Sequence, residues 1–593
     1  MKAFFLHKKK YLLPLLLVLA AALATSVFAL RDYIFLSEDS RFEKFTEKIF
    51  SDEITSNTIN LHYTLAYPQE YGIEDYEVSL GTMEPQVLKK SSDSAEKLLK
   101  NLKKFDSSKL SRSNQITYDI LSLELENQAS LDQESYLLYE PLGPNLGIQA
   151  QLPVLLAEYD FRTSVDIKDY FNLLACIPEY FQEILEFESE KSTAGLFMSD
   201  ASAERIIQQC RSFTATEEEN YLYAMFNQRI ETLLDGKRID SRQAETFIEM
   251  HEKLMQQYVF PAYEALALGM ERLEGTGKNE NGLAGLPGGK EYYEYLVKSS
   301  VGDYRDVETI LQTLFQQLTL DYDSVGKLLH EEPELLSKAA ALPASSDISP
   351  EQMLDYLQRI ITDDFPVLET EDYEVKYVPP SMEEFSSPAF YLTPPIDTQS
   401  PNIIYINQSS QVSQAELFTT LAHEGFPGHL YQTLYFSNQK NAPIRELLGS
   451  SGYIEGWATY VEAISYEYGA PFLNIETKIM EFLCLNRSIS LCLYSILDIG
   501  IHYQGWNLDI VSDSLAVFGI TDQETCKEIF QYIIENPANY LKYYLGYLNF
   551  CSLREQVEEL EGSSFHLKDF HEKLLKLGPA PFPVVEKYLL MEY

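Results

Sequence analysis

The stretch LAHEGFPGHLYQ, residues 421–432, decides how this chain is read. It brings together His423, Glu424 and His429, residue types that bind zinc and take a proton from water. A zinc clamp on an unbroken helix places its histidines four apart, on one face. Here they are six apart. At about 100° per residue, six positions leave the second histidine roughly 120° away from the first. Gly425, Pro427 and Gly428 lie between them. Pro427 lacks a backbone donor and turns Phe426 away from helical angles, and the glycines open conformations closed to other residues. The spacing therefore predicts a helix from about Gln414 that breaks at Gly425–Gly428 and swings His429 back towards His423. The competing reading is a helix that merely ends, with His429 on the surface.

The neighbouring sequence favours the first reading. Ser413 and Glu416 form an S-x-x-E helix start, and Leu417, Phe418 and Leu421 supply an apolar face. A zinc hydrolase needs three protein ligands and an open fourth position. SSGYIEGWATYVEAISYEYG, residues 450–469, offers Glu455 as the third, with Glu455, Thr459 and Glu462 on one helical face. Glu462 is then placed to accept the ring N–H of a ligand histidine. Glutamates usually mark a solvated face, but these stand beside Trp457 and Tyr460 in a largely apolar helix. The other His-Glu pairs, at His251 and His330, have no second histidine nearby.

The whole chain sets limits on this reading. Its 593 residues point to several domains or one large two-lobed unit. With 46 basic and 90 acidic residues the net charge is −44, which opposes nucleic-acid binding. Lys8, Lys9 and Lys10 precede an apolar run from Tyr11 to Leu30, the layout of an export signal or a retained membrane anchor. The body should then lie outside the membrane, secreted or tethered only by that segment. None of the six cysteines has metal-type spacing; most read as buried thiols, with Cys176–Cys210 the candidate disulfide. Helical periodicity recurs along the chain, as in residues 169–190 and 303–329, and Ser349-Pro350 opens another helix. EVKY, AFYL and NIIYIN, just before the motif, read as short strands. The expected fold is mainly α: a large, helical, two-lobed body with a small β-sheet beside the active-site helix. The expected regions are 1–29 (signal or anchor), 30–285 (helical) and 286–593 (zinc-binding), divided at the Gly-rich loop 274–291.

HEGFPGHLYQ followed by EGWATYVE resembles the domain-of-unknown-function 885 family, which is similar to the gluzincin metallopeptidases and largely helical. PAFYLTPPIDTQSPNIIYIN, DIGIHYQGWN, PANYLKYYLGYLNFCSLRE and KEYYEYLVKSS match further family segments, over roughly residues 290–560. The resemblance implies zinc on His423, His429 and Glu455, with Glu424 as general base. His502 and Tyr543 fall in matching motifs, and gluzincin chemistry suggests them as oxyanion donors or, alternatively, as packing residues. Two departures stand out. Tyr494 replaces an arginine usual in the family, which bears on recognition of an anionic group, and Ala538-Asn539 replaces Gly-Gln. The expected activity is an exported zinc metallopeptidase acting on oligopeptides, with NIIYIN pairing to an extended peptide. The alternatives are a non-catalytic peptide-binding protein on the same fold and a zinc hydrolase of another amide or ester.

Overall fold

The computed structural model describes residues 37–593, apart from 133, 216–219, 278, 344–347, 369–371, 379–382, 384–386 and 411. The expected signal or anchor at 1–29 lies outside the described residues. Helices dominate, and they start where local chemistry dictates. Ser349 and Gln352 cap each other reciprocally, and Pro350 opens the helix Pro350–Ile360. Apolar residues three and four apart build Ser164–Ala194 and Val307–Glu331, the helices expected from their period.

Three strands form the small sheet: β1 (Glu374–Tyr377), β2 (Ala389–Leu392) and β3 (Ile403–Ile406). Their order is β1-β3-β2, with β1 parallel and β2 antiparallel to β3. The expectation that β3, the NIIYIN strand, would pair with another chain is corrected here. Its isoleucines make it the buried central strand, and both its edges are occupied. Among the described residues β2 is an edge strand of this sheet, with its Tyr391 N–H held by Glu424.

Five helices carry the residues of interest: α1 (Gln414–Glu424), α2 (His429–Ser437), α3 (Ser451–Phe472), α4 (Thr477–Ile499) and α5 (Asn539–Glu561). α1 packs on β2 and α3. α3 and α5 cross at bare backbone. A Cβ on Gly456 would lie 2.5 Å from the Gly546 backbone, and one on Gly546 would lie 2.2 Å from the Gly452 carbonyl oxygen. α4 and its continuation to Gln504 are long and apolar enough to cross a membrane by composition alone. Here Cys492, Ile496 and Asp498 on that helix are buried within the protein.

One large core runs from Ile59 to Leu545 and a second from Phe42 to Leu589. Each draws residues from both sides of position 285, so the expected division there is not a division of the core. The candidate Cys176–Cys210 disulfide is not formed, and all six cysteines are free thiols.

Candidate metal centre

α1 ends at Glu424 and α2 begins at His429, so the break falls where the spacing predicts it. The reason is close approach. A Cβ on Gly428 would sit 1.8 Å from the His423 carbonyl oxygen and 2.4 Å from that of Ala422. Only glycine lets α2 start against the end of α1. The turn is fixed from outside as well: the buried Trp457 Nε1 donates to the Pro427 carbonyl at 2.9 Å. The Tyr431 N–H reaches back to the Gly425 carbonyl at 3.2 Å. The Phe426–Pro427 peptide is cis.

This folding-back brings the two imidazoles together, ring centroids 4.8 Å apart and planes nearly perpendicular at 86°. Glu455, one turn into α3, completes the group. Its Oε2 lies 3.6 Å from His423 Nε2 and 3.4 Å from His429 Nε2. Ligand atoms of the three residues all lie within 4.8 Å of one another. Zinc–ligand bonds near 2.1 Å in a tetrahedron imply ligand–ligand separations of about 3.4 Å. The two imidazole–carboxylate distances match that spacing, and the His₂Glu donor set suits zinc with one position open. The residues present fit the ion.

A second layer orients the first. Glu462, two turns after Glu455 on the same face of α3, accepts from His423 Nδ1 at 3.1 Å through Oε2. That partner directs the His423 Nε2 lone pair inward. The other Glu462 oxygen accepts from Arg487 Nε on α4 at 2.9 Å. Burial works against every charge here, and the partners override it. Burial alone depresses His423, but Glu455 and Glu462 push it up to about 10. Burial alone raises Glu455 and Glu462, yet the histidines hold Glu455 well below the usual carboxylate range, and His423 and Arg487 hold Glu462 below it too. The cluster thus carries anionic carboxylates and tightly held imidazoles. Binding a divalent cation there would displace the imidazole proton.

The three donors line a cleft of about 890 Å³. Glu424 also lines it, and its Oε2 accepts the backbone N–H of Tyr391 on β2 at 3.0 Å. Ala389, Tyr391 and Thr393 form one wall of the cleft. Tyr543 on α5 also lines the cleft, its ring 6.5 Å from that of His423. Burial, then Glu455 and Glu424, raise the Tyr543 phenol well above its ordinary value, so it remains an O–H donor.

His502 is not in this cleft, which corrects its expected role as an oxyanion donor. It is fully buried, and both ring nitrogens are engaged. Nε2 donates to the Ile533 carbonyl at 2.8 Å, and Nδ1 accepts the Leu283 N–H at 3.2 Å. Burial lowers its pKa to about 4, so it is neutral. It pins the segment around Leu283 to the body. Asp498 of the same motif has a similar task. It accepts from Tyr293 Oη at 2.6 Å and from the Ala538 N–H at 3.0 Å, holding the start of α5. Ala538 has φ +61°, a left-handed position where the glycine usual in the resembled family would sit without strain. Tyr494 stacks on Tyr540 at 4.7 Å and does not line the cleft. Sequence reasoning missed two partners. Neither the Tyr391 N–H nor Arg487 carries a local spacing signal, because each reaches the site from a separate element.

No curated protein shows a significant match to this chain. Among solved structures, one from Colwellia psychrerythraea is 18% identical with a TM-score of 0.81, covering 94% of this chain and 99% of that one. Another, from Shewanella oneidensis, is 16% identical with a TM-score of 0.62, covering 93% and 99%. Each is described as a "putative lipoprotein", the second as of unknown function, and at this identity they establish the shared fold. A family model described as "Bacterial protein of unknown function (DUF885)" matches residues 67–589. That span includes the broken helix, the helix of Glu455 and the helix of Tyr543, and the chain belongs to this family.

Proposed function

We propose that the protein is an exported zinc metallopeptidase acting on short peptides. The observation that carries this reading is the convergence of His423, His429 and Glu455 in one cleft with Glu424 beside them. His423, His429 and Glu455 would hold a zinc ion, which when bound would supply Lewis acidity and make a proton of water easier to remove near neutral pH. Glu424 takes that proton on the carboxylate oxygen not held by Tyr391 and delivers it to the leaving amine. Tyr543 donates its O–H to the carbonyl oxygen as negative charge gathers there. An extended peptide would lie along the outer edge of β2, using backbone groups other than the Tyr391 N–H that Glu424 holds, so strand addition is assigned to AFYL rather than NIIYIN. A cleft of this volume suits a short segment of extended chain. The extracytoplasmic location is supported by Lys8–Lys10 with the apolar run behind them, and by the lipoprotein description of the two solved neighbours.

The test is metal analysis of purified protein together with mass-spectrometric identification of products from a mixed peptide pool. The expected result is one zinc per chain and products ending at newly cut amide bonds. Protein that folds with all three ligands and takes up no zinc overturns the reading. Tyr543→Phe should lower kcat by about 10²-fold with KM little changed, because the phenol acts on charge that develops only in the transition state. Steady-state kinetics on any cleaved peptide measures this; an equal change in KM alone assigns Tyr543 to ground-state binding.

A further inference from the structure

We infer that Arg487 anchors a carboxylate of the bound peptide. This rests on the cleft being a peptide site. The lining is rich in acid, with Glu416, Glu424, Glu446, Glu455 and Glu462, and has two arginines. Arg445 is buried, and its Nη2 serves the backbone carbonyls of Leu577 and Pro579. Arg487 is different: its side chain is 48% exposed. Its Nε is fixed on Glu462, and among the described residues neither Nη atom has a hydrogen-bond partner. Glu416 acts on it electrostatically without bonding to it.

A guanidinium has five N–H donors in a rigid plane, and fixing Nε aims the other four. A counter-ion serving Glu462 alone needs no such open pair. The acidic lining sharpens the selection. An anionic group entering the cleft meets repulsion from these carboxylates, and apart from the metal position the attraction comes from Arg487, the exposed cation of the lining among the described residues. Settling there fixes the register of the peptide across His423, because Glu462 ties Arg487 to that histidine. The anchored group is a terminal carboxylate or an acidic side chain; the chemistry is the same and experiment separates the two.

The experiment uses the full, zinc-loaded chain carrying Glu424→Gln, so that peptides bind without turnover. Calorimetry compares Ala-Ala-Ala-Phe as free acid, the same peptide as C-terminal amide, and Ala-Glu-Ala-Phe amide. We expect one carboxylate-bearing peptide to bind about tenfold tighter than the plain amide, and Arg487→Met to erase that difference. Arg487→Lys should restore part of it, since an ammonium keeps the charge without the fork. Preference for the free acid assigns the terminal carboxylate, and preference for the Glu peptide assigns a side chain; either supports the anchor. Equal binding of all three to the parent protein overturns it. So does a uniform loss in Arg487→Met accompanied by lower zinc content, which would make Arg487 a support for Glu462 only. Absence of binding by any peptide overturns the anchor and the peptide site together. Selective binding with no cleavage by the wild-type protein leaves the anchor standing and removes the peptidase reading.

Discussion

Glu424→Gln is expected to lower peptide hydrolysis by about 10²–10⁴-fold while zinc content stays at the wild-type level. The two results belong together. Glu424 is not among the three converging ligand residues, so its charge is not needed to hold the ion. A glutamine oxygen can still accept the Tyr391 N–H that now reaches Oε2 at 3.0 Å, so the side chain keeps its place. The variant lacks only the ability to take up a proton. Parallel metal analysis and initial-rate measurement on one cleaved peptide read both quantities. Full activity in the variant would remove Glu424 from the chemistry. Loss of zinc would make its role one of metal retention instead.

Gly428→Ala is expected to destroy the candidate metal centre without changing any of its three converging residues. The new methyl would have to lie where the His423 carbonyl oxygen already is, 1.8 Å from the ideal Cβ, and that oxygen belongs to backbone. Relief requires α2 to move away from the end of α1, and His429 is the first residue of α2. Support residues around a metal typically change affinity by 10–100-fold, and displacement of a ligand itself should weaken zinc by at least about 100-fold. Overpacking should also cost about 1–3 kcal/mol of stability. Zinc titration against a competing chelator, with thermal unfolding in parallel, separates the two effects. Because the folded variant can be too unstable to load, Gly428→Ser serves as a second probe: it carries the same Cβ and should fail in the same way. An alanine variant that binds zinc as wild type would show that the α1–α2 junction has room the structure denies.

The convergence of His423, His429 and Glu455 was legible in the sequence because its main parts are local. Glu424 ends one helix and His429 starts the next, and the breaker residues between them are visible in seven letters. Glu455 and Glu462 were recoverable from a single helical face. The parts that went astray depend on pairing across the chain. His502 sits in a motif that looks chemical, yet its nitrogens meet the backbone at Leu283 and Ile533, far away in sequence. β3 reads as a strand, but its composition does not say that both edges are taken. Arg487 lies on a helix with no recognisable spacing and becomes meaningful only beside Glu462. The expected break at 285 followed a Gly-rich loop, and composition cannot show that helices on both sides fill the same cores.

The glycine crossing of α3 and α5 has a consequence for anyone redesigning this protein. Gly452, Gly456 and Gly546 put two main chains in direct contact. Glu455 lies between Gly452 and Gly456 on α3 and Tyr543 three residues before Gly546 on α5, so the spacing of the two backbones that carry them is set by peptide groups in contact. Libraries that vary the cleft walls at Ala389, Thr393, Asn486 or Ser490 can therefore explore new substrates while the ruler between acid ligand and phenol stays the same length. Any library that includes the three glycines changes the ruler itself.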